Sequence, residues 1–192
     1  MTTKLLGISG SLRTQSFNTA MLRVAQATAS ERCTLDIATL HGIPLYDGDV
    51  EQQHGAPAAV QALKARMLAA DGVLLATPEY NNGVPGVFKN AIDWLSRAEP
   101  GVADVFRDRP FGVIGASPGG FGTTLAQSHW LPVLRTLGTR FWSGGRVMVA
   151  RAGTVFAADG TLKDDTIRQQ LATYLQGFAE FCAANRPARP AG

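Results

Sequence analysis

Between Gly7 and Asn18 the chain reads Gly-Ile-Ser-Gly-Ser-Leu-Arg-Thr-Gln-Ser-Phe-Asn. Ser11 and Ser16 bring short hydroxyl donors, Asn18 a carboxamide, and Arg13 a forked guanidinium that stays charged. An apolar run, Leu5, Leu6 and Ile8, precedes this segment, and a helical pattern follows it. Backbone amides and a helix N-terminus would then face one point, which suits a terminal phosphate. The bland alternative is a capped helix beside a solvated arginine, because Ser and Asn are ordinary cap residues. The density of donors from Ser11 to Asn18 favours the phosphate. The segment has no lysine for GxxxxGK[ST] and only Gly7 and Gly10 toward GxGxxG. No Asp or Glu closes the next apolar run near Leu40 to hold a ribose. A phosphatase loop would need a cysteine here, and there is none.

Two further segments carry polar groups after apolar runs. Thr77 to Gly86 holds Pro78, Pro85, Gly83 and Gly86 around Glu79, Tyr80, Asn81 and Asn82. Tyr80 offers a flat face, and the asparagines offer donors and acceptors suited to a heterocycle. The alternative is a structural turn with a surface tyrosine. Glu79 has no nucleophile or second acid close by in sequence, so it reads as a loop-shaping carboxylate that accepts backbone N–H bonds. Ser117, Pro118, Gly119 and Gly120 form the third segment. Glycines let a backbone approach a ligand closely. Exposed amides there suit the carbonyl edge of a ring and charge developing on it.

The elements that must position these segments can be read from the apolar pattern. Short continuous apolar runs predict strands at Leu5–Ile8, Leu35–Leu40, Gly72–Ala76, Phe111–Ala116 and Arg146–Ala150. Helical spacing predicts helices over Asn18–Ala29, Ala56–Ala70, Val84–Ser96, Thr124–Leu137 and Lys163–Asn185. His41 to Gly55 reads as polar and turn-rich. Strands alternating with helices imply a parallel sheet covered on both faces. Right-handed crossovers and five strands point to the order 2-1-3-4-5. The expectation is an α/β, flavodoxin-like three-layer sandwich, with all three polar loops at the carboxyl ends of adjacent strands. It spans residues 1–185 as one domain, with a flexible tail at 186–192.

Composition excludes other classes. A chain of 192 residues, 45% hydrophobic and 17% charged, has enough apolar content for one packed core and argues against disorder. The net charge of +3 comes from scattered arginines with no basic run, so nucleic acid is not an expected partner. Cys33 and Cys182 have no CxxC partner and read as buried free thiols. His41, His54 and His129 show no metal-ligand spacing, and His129 beside Trp130 suits packing or an interface. No window approaches eighteen apolar residues and the N-terminus lacks a signal-peptide pattern, so no membrane span is expected and the cytoplasm is the expected location. Leu95, Trp130, Leu131 and Leu134 are candidates for a subunit contact, unless all serve the monomer core.

The segments Gly10–Asn18, Pro78–Arg97 and Ser117–Gly120, in that order, resemble the NAD(P)H-dependent FMN reductase family, which includes bacterial quinone and chromate reductases. The resemblance runs from about Lys4 to Val149, and its most specific part is Pro78-Glu79-Tyr80-Asn81 followed by Pro85-Gly86, Lys89-Asn90 and Ile92-Asp93-Trp94. It implies a flavodoxin-like fold with non-covalent FMN. By motif match, Ser11, Arg13, Ser16 and Asn18 would hold the phosphate. Pro78, Glu79, Tyr80 and Asn81 would border the ribityl chain and ring, and Ser117, Gly119 and Gly120 would meet the pyrimidine side. It also implies a homodimer, or a dimer of dimers forming a homotetramer, with active sites near the interface. Two positions depart from the family pattern. Gly83 stands where a serine is common, and Phe121-Gly122-Thr123-Thr124 replaces a run of glycines with alanine or arginine.

The chemistry so implied belongs to the flavin. NADPH or NADH would deliver hydride to FMN, and a quinone-like or other small acceptor would take two electrons. No catalytic side chain is assigned. The rival reading is a non-enzymatic electron carrier of the flavodoxin kind, but such carriers tend to be acidic and this chain is mildly basic.

Overall fold

The structure is a computed structural model that describes residues 2–97 and 101–186. The expected tail therefore lies outside the described residues, apart from Arg186. In chain order the elements are β1 (Thr3–Ser9), α1 (Phe17–Ala27), β2 (Cys33–Ala38), α2 (Gly48–His54), α3 (Ala58–Ala69), β3 (Gly72–Thr77) and α4 (Gly86–Leu95). Then follow α5 (Val102–Val105), β4 (Pro110–Ala116), α6 (Thr124–Thr136), β5 (Arg140–Phe141), β6 (Met148–Val149), α7 (Ala152–Val155) and α8 (Asp165–Ala184). Every ladder is parallel, in the order β2-β1-β3-β4-β5, with β6 also paired to β4. The flavodoxin-like order read from the sequence is the observed one.

Strand alternation divides the core in two. Leu6, Ile8, Val73, Leu75, Phe111 and Val113 meet α3, α4 and α6 on one face. Leu5, Leu35, Leu74, Ala76, Ile114 and Ala116 meet α1 and α8 on the other. Each large side chain buried here stabilises the fold by roughly 1.5–3 kcal/mol. The second face depends on close approach: a Cβ on Gly112 would lie 2.7 Å from the Tyr174 hydroxyl oxygen. That hydroxyl donates to the Val113 carbonyl at 3.2 Å, so α8 sits directly on β4.

The fifth strand departs from the expectation. Its position is filled by two separate pairs of residues, β5 and β6, rather than by Arg146–Ala150 alone. The Trp142 and Gly115 amides still donate to the Phe111 and Val147 carbonyls, but Ser143 to Arg146 leave the ladder between them. Trp142 is the reason. Its indole packs edge-on to Tyr174 at 4.6 Å, and a Cβ on Gly144 would lie 2.7 Å from its Nε1. The turn-rich segment before Gly55 likewise holds a helix, α2, which Asp47 caps by accepting from the Asp49 amide at 2.9 Å. At the opposite sheet edge, Arg66 donates to Asp36 and to the Ile37 carbonyl at 2.8 Å.

Arg109 anchors the amino end of the sheet. Its guanidinium is buried and donates to the carbonyls of Ala70, Val105 and Asp104. Trp94 packs α4: its Nε1 donates to the Pro44 carbonyl at 2.9 Å and its ring meets Tyr46 edge-on. Asn90 donates to the same carbonyl, so two residues of the family motif hold one loop. Among the described residues no helix is long and apolar enough to cross a membrane.

Cys33 and Cys182 are free and buried. Burial pushes the Cys33 thiol up to about 11 and raises that of Cys182 as well. An unfolded thiol ionises near about 8.5. The folded chain therefore keeps protons that the unfolded chain releases, and alkaline pH favours unfolding. This contribution is complete below about pH 8.5 and is lost as pH rises toward 11. Urea midpoints should fall over that range, and fall less in a Cys33→Ala, Cys182→Ala double variant. Equal slopes for both proteins would contradict the assignment.

Candidate functional site

The three polar loops lie where the sequence pattern puts them, at the carboxyl ends of β1, β3 and β4. The first loop starts from a close contact. A Cβ on Gly10 would lie 2.2 Å from Phe88, so the backbone rests on the α4 ring, and the Gly10 amide donates to the Ala76 carbonyl. Ser16 caps α1, accepting from the Thr19 amide at 3.2 Å, and Ser11 accepts from the Arg13 amide at 3.3 Å. Each hydroxyl thus keeps its own hydrogen to donate outward. The amides of Thr14, Gln15, Ser16, Phe17 and Asn18 have no acceptor among the described residues. Arg13 is exposed and lies over Phe17 at 5.8 Å, with no carboxylate partner among the described residues. Five unfilled amides, two hydroxyls and an exposed guanidinium make a cradle for a dianion.

Asn18 does a different job from the one its sequence position suggested. Its side chain donates to the Ala116 carbonyl and accepts from the Ala116 amide, both at 2.9 Å. The carboxamide continues the edge of β4 like another peptide unit. It is a positioning group, and only its backbone amide faces the cradle. His41, which the sequence reading set aside, also braces this loop. Its Nε2 is 3.1 Å from the Leu12 carbonyl and its Nδ1 is 3.1 Å from the Thr39 hydroxyl. A carbonyl only accepts, so Nε2 carries the proton. No local signal in the sequence marked this contact, which joins residues 29 apart.

The second loop folds as a miniature hairpin. Tyr80 and Gly83 exchange backbone hydrogen bonds of 3.2 and 3.0 Å, with Asn81 and Asn82 at φ of 50° and 61° between them. Asparagine tolerates the left-handed region, and two such residues in succession match the twist of a tight hairpin. Tyr80 is held beside the turn by its pairing with Gly83, 45% exposed. Its phenol and both asparagine side chains have no partner among the described residues. Glu79 accepts from the amides of Leu125 and Ala126, each at 2.9 Å. It caps α6, the helix that follows the third loop, in keeping with a loop-shaping carboxylate. Pro78 offers its carbonyl to the Thr77 hydroxyl at 2.8 Å.

In the third loop Ser117 accepts from the Gly119 amide at 3.2 Å, and its carbonyl accepts from Ala152. The Gly119 amide, expected to face a ligand, is thus engaged within the loop. The Gly120 amide has no acceptor among the described residues and is the donor left for a ring edge. Arg151, left-handed at φ 48°, donates its amide to the Gly119 carbonyl and braces the loop from behind.

The sequence profile of the family described as NADPH-dependent FMN reductase matches residues 3–154, which include all three loops. The chain belongs to this family. A NAD(P)H-dependent FMN reductase of Pseudomonas aeruginosa is 42% identical over 175 residues, covering 91% of this chain and 92% of its own length. A 2-hydroxy-1,4-benzoquinone reductase of Burkholderia is 32% identical, covering 97% of this chain and 100% of its own. Among solved structures, the flavoenzyme NAD(P)H:(acceptor) oxidoreductase of Paracoccus denitrificans superposes with a TM-score of 0.82 at 33% identity, covering 96% of this chain and 100% of its own.

The donors fit the family's cofactor. FMN ends in a phosphate that needs amides, hydroxyls and a cation, and the first loop supplies all three without internal competition. Among the described residues no group of three or more His, Cys, Asp or Glu is placed to hold a metal ion.

Removing the Asn18 carboxamide should be costly, because it leaves the Ala116 amide and carbonyl buried without partners. Asn18→Ala should lose about 2–4 kcal/mol of stability in urea denaturation. A loss below about 1 kcal/mol would show that water replaces the clamp.

Proposed function

We propose that the chain holds FMN across the carboxyl ends of β1, β3 and β4. Ser11, Arg13, Ser16 and the amides up to Asn18 take the phosphate. Pro78, Glu79, Tyr80 and Asn81 border the ribityl chain and ring, and Ser117, Gly119 and Gly120 close its pyrimidine side. The observation that carries this reading is the run of five amides without acceptors, beside an Arg13 without a carboxylate partner, among the described residues.

The protein is an NAD(P)H-dependent oxidoreductase with FMN as its cofactor. Bound FMN supplies the capacity to accept hydride and pass on two electrons. The chain's own groups bind and orient. Arg13 and the first-loop amides neutralise the phosphate at one end, remote from the reacting ring. The Gly120 amide donates to the ring's carbonyl edge, where negative charge grows on reduction. Tyr80 presents an amphipathic face at the rim, and Asn81 and Asn82 add neutral donors and acceptors for a planar acceptor. A quinone is the acceptor class this rim suits, and the Burkholderia relative named for a benzoquinone supports it. The full-length likeness to reductases favours the enzyme over a carrier.

The same reading makes the protein a homodimer. Leu95, Trp130 and Leu134, named from sequence as possible contacts, are buried in the monomer core, with Leu131 alone of the four exposed. Leu125 and Leu131 are both exposed on α6, about 120° apart around the helix. We infer that a second copy covers the exposed Leu131. NAD(P)H is an intracellular metabolite, which supports a cytoplasmic location.

Purified protein should absorb near the flavin maximum and bleach rapidly when mixed with NADPH or NADH, then recover on adding a benzoquinone. No bleaching with either donor would leave a carrier. Arg13→Ala should weaken FMN binding at least tenfold more than riboflavin binding, measured by quenching of flavin fluorescence. Equal losses would remove the phosphate assignment. For the subunit contact, Leu131→Glu should convert a dimer to monomer in light scattering. An unchanged mass would place the interface elsewhere.

A further inference from the structure

Of the eight large hydrophobic side chains that are exposed among the described residues, four belong to the three loops or to the first turn of α6: Leu12, Tyr80, Phe121 and Leu125. Apolar groups gathered in water at one rim mark a surface that a ligand or partner covers. Phe121 is the most exposed of the eight, at 86%. It follows Gly120, whose amide has no acceptor among the described residues and is the donor proposed for the flavin's carbonyl edge. A Cβ on Gly120 would meet nothing within 4 Å, so the open side of the loop is unobstructed.

The backbone that carries Phe121 is fixed on both sides. Before it, the Gly119 carbonyl accepts from the Arg151 amide at 3.0 Å. After it, Gly122 is left-handed at φ 65° and so close to β6 that a Cβ there would lie 3.1 Å from the Met148 carbonyl oxygen. Thr123 is fully buried and its hydroxyl accepts from the Gln127 carboxamide at 3.0 Å. The Thr124 hydroxyl donates to the Phe121 carbonyl at 2.9 Å. The loop is thus held to β6 and α6, while its largest side chain stands in solvent. A rigid mount of this kind limits the freedom lost when the phenyl ring takes a partner.

Position decides which partner that is. Consecutive Cα atoms are about 3.8 Å apart, so Phe121 stands just outside the flavin edge that the Gly120 amide would hold. The second loop is tied to the same corner, since Glu79 accepts from the amides of Leu125 and Ala126 at the start of α6. A one-ring quinone lying over the middle of the flavin stops short of that edge. A second fused ring overhangs it and meets the phenyl, in the offset or edge-to-face contact that aromatic pairs prefer. We propose that Phe121 is a specificity-determining residue that favours acceptors with fused aromatic rings, naphthoquinones over benzoquinones.

The proposal rests on the FMN site proposed above, and the measurements separate the two. Full-length protein loaded with FMN is titrated with 1,4-naphthoquinone and with 1,4-benzoquinone in the absence of any electron donor, and binding is read from the change in the flavin absorption band. Steady-state kcat/KM for both quinones is then measured with NADPH or NADH. Phe121→Ala should weaken naphthoquinone binding, and lower its kcat/KM, at least fivefold more than for benzoquinone. Phe121→Tyr keeps the ring and should hold the ratio within twofold of wild type. FMN affinity, from titration of flavin-free protein, should change less than twofold in either variant. Equal losses for the two quinones, or a ratio that does not move, would overturn the proposal. So would a fivefold loss of FMN affinity in Phe121→Ala, which would make Phe121 a cofactor contact, or a change of its mass in light scattering, which would make it a subunit contact. Wild type that binds no FMN would overturn the FMN site and this proposal with it.

Discussion

The site depends on one pair of hydrogen bonds, between the Asn18 carboxamide and the Ala116 peptide. They join residues 98 apart and pin the start of α1 to the end of β4. Without them the first loop would be fixed by its own turn, the Gly10 contacts with Phe88 and Ala76, and the His41 brace on Leu12, none of which ties it to β4. With them, the amides of the first loop hold a set relation to the third. Glu79 makes the matching connection from the second loop to α6. Donors locked in this way need little rearrangement when a ligand arrives, which is how a shallow surface gains affinity.

The division of labour between the two ends follows from charge. The phosphate end has a guanidinium and unfilled amides. The ring end has neutral groups: a phenol, two carboxamides and one glycine amide. Glu79, the acid nearest the ring loops in sequence, is engaged at the α6 N-terminus and is not a free base. This suits a protein whose cofactor carries the reactive atoms and whose residues place them.

The sequence made the strands β1, β3 and β4 legible because each is a short apolar run closed by a polar loop. The long helices were legible through their spacing. What escaped depended on partners distant in the chain. Nothing local in Arg140 to Ala150 shows that Trp142 turns inward onto Tyr174 and interrupts the edge strand. Asn18 looked like a ligand donor because its partner, Ala116, lies in another motif. The Gly119 amide looked free because a backbone string does not show that Ser117 folds onto it. Leu95, Trp130 and Leu134 were ambiguous between core and interface, since a sheet-covering helix and a subunit contact ask for the same residues. His41 carried no signal at all, being neither in a motif nor at a cap.

The two margins of the sheet share a property. On one side, Arg66 occupies the Ile37 carbonyl and adds charge beside Asp36. On the other, the fifth position is broken into two-residue pieces. Neither margin offers a long, straight row of free peptide groups to a passing strand. An abundant enzyme with this build can crowd against its neighbours without seeding fibrils, and its associations are left to helix faces, which match only particular shapes.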